Sequence, residues 1–167
     1  MKNVLITGAT GGIGNALVEI FYKNGYKVCA TGTNDKKLNY LSSKYNDQIR
    51  CIKCDLANFK SIENLTIQAN AFYGNTNILI NNAGITKDNL FLRMKDNEWF
   101  DVLNINLNAN YKLTKIIIKE MMKSKWGRVI NISSDAAKIG NSGQANYVAS
   151  KSALEGITRT IANEVAS

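Results

Sequence analysis

The sequence predicts an α/β domain built on a doubly wound parallel sheet, and two observations predict it. Short apolar runs of strand length alternate along the 167 residues with amphipathic stretches of helix length. The first apolar run passes directly into a glycine-rich turn, Gly8-Ala9-Thr10-Gly11-Gly12-Ile13-Gly14, and then into a helical pattern. A helix between two strands carries the chain back to the end from which the first strand started, so successive strands run parallel. Strands that are apolar throughout need helices on both faces, and the crossovers are right-handed. Such sheets bind ligands at the carboxyl ends of their strands.

The elements follow in order. The first strand is Val4 to Ile6. The helix after the turn spans Ile13 to Tyr22, with Ile13, Leu17, Ile20 and Phe21 at helical spacing, and Asn24-Gly25 closes it. Tyr26 to Thr31 reads as the second strand, Asp35 to Tyr45 as a helix and Ile49 to Cys54 as the third strand. Asn58 to Tyr73 is helical and ends at Gly74, and Ile78 to Ile80 is the fourth strand. A long helix, Asn97 to Ser124, carries Val102, Ile105, Leu113, Ile116 and Ile117. Arg128 to Ile132 is the fifth strand, and from Ala145 onward the pattern is helical again. With no repeat, low-complexity tract or linker, residues 1–167 read as one domain.

Composition narrows the chemistry. Hydrophobic residues make up 45% and charged residues 20%, an ordinary globular balance. No apolar run reaches membrane-spanning length, and the start, Met1 to Gly8, has too short an apolar run for a signal peptide. The expected location is the cytoplasm, with no membrane partner. The net charge is +8, but the lysines are scattered and few aromatics lie among them, unlike a nucleic-acid footprint. A solvated surface accounts for most of that charge, and an acidic ligand or partner fits the remainder. There is no histidine, which removes histidine-based triads and HExxH zinc sites. Cys51 and Cys54 form a CxxC, but on a strand they point to opposite faces, and no second pair completes a zinc site. The three cysteines, Cys29 included, are expected to be free thiols, and no metal is expected.

The glycine turn is suited to a dinucleotide. Glycines permit the tight turn and the close approach of backbone to a pyrophosphate, and the helix N-terminus offers free N–H groups to the anion. Gly8, Thr10, Gly11, Gly12, Ile13 and Gly14 are the candidate contacts. Enzymes that use NAD place an acid near the end of the second strand, for the ribose 2′-hydroxyl. Here Gly32 stands where that acid is expected, and Thr33, Asn34, Lys36 and Lys37 follow within reach of a 2′-phosphate. NADP(H) is therefore expected in preference to NAD(H).

Tyr147 and Lys151 stand four apart in a helical pattern and so share a face. A phenol titrates near about 10, too high for ready proton exchange at neutral pH, and an adjacent cation lowers that value. The pair is then a usable general acid for a carbonyl oxygen receiving hydride. Taken alone it is also an ordinary surface pair. Thirteen residues before Tyr147, just past the fifth strand, stands Ser134. That is the strand end where such a sheet places its chemistry. Ser133 is adjacent, and register favours Ser134.

Thr7-Gly8-(x3)-Gly12-Ile13-Gly14, Asn81-Asn82-Ala83-Gly84 and Ser134-(x12)-Tyr147-(x3)-Lys151, in this order, resemble the short-chain dehydrogenase/reductase family along the whole chain. The resemblance implies that Ser134 hydrogen-bonds the substrate carbonyl, that Tyr147 donates the proton, and that Lys151 lowers the tyrosine pKa and holds the nicotinamide ribose. It implies that Asn106 anchors a water in the proton relay, where a lone mid-helix asparagine would otherwise read as a surface residue or a kink. It places Asp55, with Leu56, at the adenine, although Asp55 also suits an N-cap of the following helix. It places Asn82, Ala83 and Gly84 against the adenosine side of the cofactor, although Asn and Gly also simply end strands. The arginine that many NADP-dependent relatives carry in the loop is replaced by Gly11.

Within the family, residues 81–90 and 143–147 are most similar to members that reduce 3-oxoacyl thioesters held on acyl carrier protein, in fatty-acid biosynthesis. The carrier is acidic, and Lys123, Lys125 and Arg128 are candidates for steering it, or are ordinary cations near a helix end. Other readings are a dehydrogenase for another alcohol or ketone, and a non-catalytic dinucleotide-binding or oligomerising module. The resemblance further implies strand order 3-2-1-4-5, a C-terminally truncated domain that lacks the family's last strands, and a homo-oligomer (dimer or tetramer) for the full-length form. Loss of those strands would leave the fifth strand as an open edge and the chain poorly stable.

Overall fold

The computed structural model describes residues 2–45 and 47–166. Ser167, the last residue of the final helical pattern, lies outside them. Five parallel strands form one sheet in the order β3-β2-β1-β4-β5: β1 (Asn3–Ile6), β2 (Lys27–Gly32), β3 (Ile49–Lys53), β4 (Ile78–Asn81) and β5 (Arg128–Asn131). The register aligns Leu5 with Cys29 and with Leu79, and Ile80 with Ile130.

Alternation along the strands sorts the core into two halves. Leu5, Cys29, Ile52 and Leu79 face one side, where α3 (Phe59–Tyr73) and α5 (Ala109–Lys123) cover them with Ile62, Leu65, Leu113 and Ile117. Val4, Ile6, Val28, Ala30, Ile78 and Ile80 face the other side, under Val18 of α1 (Gly12–Lys23) and Leu41 of α2 (Asp35–Lys44). Cys51 and Cys54 fall into opposite halves. All three cysteines are free, and burial pushes each thiol up, which suits packing and not reactivity. Each fully buried Leu or Ile contributes about 1.5–3 kcal/mol, so the interior strands are the stable part of the molecule. Among the described residues no helix is long and apolar enough to cross a membrane, and no group of acids and cysteines could hold a metal.

The long helix expected over residues 97–124 has structure of its own. It begins as α4 (Asp96–Leu103), widens into a π turn at Asn104–Asn108 and continues as α5. The π turn shifts the hydrogen bonds to i→i+5, with Ala109 N donating to the Asn104 carbonyl. Asn106 lies within this turn and is fully buried, so the surface position that a lone mid-helix asparagine suggests is not taken. Two short elements had no periodicity to announce them: a 3₁₀ turn at Phe91–Arg93 and α6 (Ala136–Ile139). The final helix, α7 (Ala145–Val165), packs beside α4, the π turn and β5.

Candidate active site

The carboxyl ends of the strands open onto a cleft of about 520 Å³. Gly8, Thr10, Gly11, Gly12, Ile13 and Gly14 line it, as do Thr33, Asp55, Leu56, Asn82, Ala83 and Gly84. Gly32, which stands where an acid was looked for, lines it too; Thr31, Cys54, Ile85 and Ile105 also line it and were not expected there, since a residue that serves mainly as wall has no signature.

Close backbone contacts shape the cleft. Gly8 has φ of +63°, and a Cβ there would lie 2.8 Å from the Ala83 Cα. A Cβ on Gly14 would lie 2.2 Å from the Gly8 carbonyl oxygen, so the first turn of α1 rests directly on the exit of β1. Thr7 sews the loop after β1 to the loop after β4. Its hydroxyl donates to the Ile80 carbonyl and accepts from Asn82 N and Ala83 N, the last two at 3.0 Å. The Asn82 side chain returns the link by donating to the carbonyls of Thr7 and Gly8.

The α1 N-terminus starts at Gly11 with no side-chain cap and no acid in the first turn, so its leading N–H groups face the cleft without a protein carboxylate among them. A dinucleotide's diphosphate fits this donor set. Asp55 is exposed, and its Oδ1 accepts from Ala57 N at 3.0 Å. It is not the N-cap of α3: that role falls to Asn58, whose Oδ1 accepts from Lys60 N and Ser61 N.

The proton-transfer candidates Asn106, Ser134, Tyr147 and Lys151 do not line the cleft themselves; Asn106 and Lys151 adjoin it behind Gly84. Lys151 is only 3% exposed, and its Nζ donates to the Ile132 carbonyl at 2.6 Å. Burial lowers its pKa from the ordinary lysine value. The ammonium lies 5.7 Å from the centre of the Tyr147 ring, and a Cβ on Gly84 would lie 3.6 Å from it. Asn106 joins the wall after β4 to α7. Its Oδ1 accepts from Ile85 N at 2.8 Å, and its Nδ2 donates to the Ile85 carbonyl and to Ser150 Oγ. Ser134 is half-buried after β5, and its Oγ accepts from Ala136 N at 3.3 Å. The neighbouring Ser133 turns to Glu155 of α7 at 2.8 Å, so the two serines have different surroundings.

Four residues outside the expected site set hold this group. Asn146, fully buried, donates to the carbonyls of Lys87 and Glu98, and its Oδ1 accepts from Tyr147 N at 2.7 Å. Ser150 Oγ donates to the Tyr147 carbonyl. Asn110 Nδ2 donates to the Asn106 carbonyl at 2.7 Å. Asn81 links Thr114 of α5 to Asn131 at the end of β5. Asparagine is so frequent in this chain that Asn110 and Asn146 carried no distinguishing signal as site residues. Lys123, Lys125 and Arg128 lie where α5 ends and β5 begins, at the opposite end of β5 from Ser134. Lys123 pairs with Glu120, and the Arg128 guanidinium stacks on Trp126.

The sheet order and the Tyr–Lys helix beside a glycine-lined cleft define a dinucleotide-binding domain of the dehydrogenase type. The family model for short chain dehydrogenases matches residues 2–167, and the chain belongs to that family. Among its curated relatives are the 3-oxoacyl-acyl-carrier-protein reductases of Haemophilus influenzae and Rickettsia typhi. They are 42% and 46% identical over 99% of this chain. The chain spans 68% and 67% of their lengths. A solved short-chain dehydrogenase from Streptomyces avermitilis superposes with a TM-score of 0.94 at 31% identity, over 99% of this chain and 61% of that one. Membership implies a nicotinamide dinucleotide as cofactor.

Proposed function

We propose that this chain carries the cofactor cleft and proton-transfer group of an NADPH-dependent reductase. Its substrate is a 3-oxoacyl thioester on acyl carrier protein, and its product is the 3-hydroxyacyl thioester of fatty-acid biosynthesis. The observation that carries the reading is the buried Lys151 ammonium near the Tyr147 ring and behind Gly84 of the cleft wall. The reduced cofactor, when bound, supplies hydride to the keto carbon.

The chain's own residues do the rest. Ala136 N–H donates to Ser134 Oγ, which leaves the serine hydrogen for the keto oxygen. Tyr147 gives its phenolic proton to that oxygen as charge develops there, and the nearby ammonium stabilises the phenolate left behind. Asn106 holds the wall after β4 and α7 at a fixed separation; the Tyr147 phenolate regains its proton from the Lys151 ammonium, and solvent returns one proton to Lys151.

Two further features support the acyl thioester. A cavity of about 690 Å³ opens between Leu90–Arg93 and Gly140–Val148, and its lining is mostly apolar, as an acyl chain requires. Two of the relatives described above are reductases of this substrate class by name. The net charge of +8 favours approach by an acidic carrier, with Lys123, Lys125 and Arg128 contributing to the field from the far end of β5.

The test is NADPH oxidation with an acetoacetyl thioester, set against simple ketones. The thioester is expected to react faster, and Tyr147→Phe to lose about 10²- to 10⁴-fold in kcat while still binding NADPH. Faster turnover of simple ketones would reassign the substrate. NADPH binding without turnover of either would favour a non-catalytic module.

A further inference from the structure

We infer that Glu155 is a positioning residue: through Ser133 it fixes where Ser134 stands relative to Tyr147, an inference that rests on the reduction proposed above. Ser134 and Tyr147 must meet at one carbonyl oxygen, yet they lie on separate stretches of chain, Ser134 after β5 and Tyr147 on α7. Ser134 itself bonds within its own loop. Its Oγ accepts from Ala136 N at 3.3 Å, and its carbonyl accepts from Ala137 N at 3.0 Å. Its place against α7 is therefore set by its neighbours.

Those neighbours are bonded to one face of α7. Lys151, Glu155 and Thr158 follow Tyr147 at spacings of four, eight and eleven, which puts them on its side of the helix. Thr158 Oγ1 accepts from Asn131 Nδ2 at 2.8 Å, Lys151 Nζ donates to the Ile132 carbonyl at 2.6 Å, and Glu155 Oε1 accepts from Ser133 Oγ at 2.8 Å. Beyond Ser134, Ser152 Oγ donates to the Ala137 carbonyl at 2.8 Å. The strand exit from Asn131 to Ser133 is thus tied, residue by residue, to the helix that carries Tyr147.

The tie to Glu155 is the last before Ser134, and its acceptor is a carboxylate. A hydroxyl-to-carboxylate bond is charge-assisted and about twice as strong as a neutral one. Both partners are half-buried, so water competes for the bond less than at an open surface. The Lys151 tie involves a group that exchanges protons during the reaction, whereas Glu155 and Ser133 have no part in the transfer. The adjacent serines therefore divide the work: Ser134 Oγ is left for the keto oxygen, and Ser133 Oγ holds the strand exit in place.

The test uses the whole chain, with Glu155→Leu, Glu155→Gln, Ser133→Ala and the double variant Glu155→Leu/Ser133→Ala. Glu155→Leu is expected to lower kcat for the acetoacetyl thioester about tenfold, while KM, NADPH affinity and melting temperature stay near wild type. Glu155→Gln keeps an acceptor oxygen and should retain kcat within about twofold. Ser133→Ala should lose as much as Glu155→Leu, and the double variant no more than either. Hydrogen exchange at the Ala136 amide, which Ser134 Oγ accepts from, should quicken in Glu155→Leu and not in Glu155→Gln. Turnover of Glu155→Leu within about twofold of wild type would overturn the inference. So would a loss in Glu155→Gln equal to that in Glu155→Leu, multiplied losses in the double variant, or a kcat that falls only in step with NADPH affinity and melting temperature. A wild type with no turnover would overturn the proposed function, and the Ala136 amide would still decide the tie: unchanged exchange in Glu155→Leu refutes it, and faster exchange supports it.

Discussion

Lys151 is buried with a main-chain carbonyl, not a carboxylate, as its hydrogen-bond partner. Desolvation puts its folded-state pKa below the ordinary value of 10.5. Between those two values the unfolded chain binds more protons than the folded one, so this residue makes stability rise with pH across that window. Below the window the whole penalty is present. Lys151→Met is therefore expected to be more stable than wild type at neutral pH, by about 1 kcal/mol, and to lose that advantage toward pH 10. Thermal melts of both proteins across pH check this, and the same variant should lose reductase turnover. That Tyr147 and Lys151 share one helix and that Ser134 follows a strand end was legible in the sequence, because spacing fixes both. Asn146, Ser150 and Asn110 were not, because what distinguishes them is burial and partner choice, which spacing does not encode.

The strands were legible to within a residue or so, since each is a short apolar run between turn signals. The turn from β1 into α1 was legible too, but the reason for its last glycine was not. Only the packing shows that a Cβ on Gly14 would meet the Gly8 carbonyl at 2.2 Å. Because that contact is backbone on backbone, nothing flexible can yield. Gly14→Ala is expected to cost about 1–3 kcal/mol and to abolish NADPH binding, as a melt and a fluorescence titration would show. The π turn at Asn104–Asn108 escaped the sequence for a different reason. The apolar spacing on either side of it is compatible with an unbroken helix, and one extra residue per turn is invisible to periodicity.

For the whole molecule, the two-sided core follows from alternation of elements, while the strand order was implied by the family resemblance; the structure has both. What each edge of the sheet presents is a finer matter. β5 pairs with β4 on one side, and Arg128 and Ile130 are exposed, Ile130 by 43%. An edge with an apolar residue turned outward invites pairing with another strand. The 167-residue chain is expected to aggregate on warming, and Ile130→Lys to suppress light scattering while shifting stability by no more than about 0.5 kcal/mol.

At the same scale, one arrangement governs how the site tolerates motion. Tyr147 and Lys151 ride on a single 21-residue helix whose root is clamped through Asn146 to two backbone carbonyls. A rigid rod pivoting about such an anchor carries its passengers together, so their mutual distance survives breathing of the domain. Ser134 sits on a separate stretch of chain, and drift between that stretch and the rod is the misalignment to which the chemistry is most sensitive.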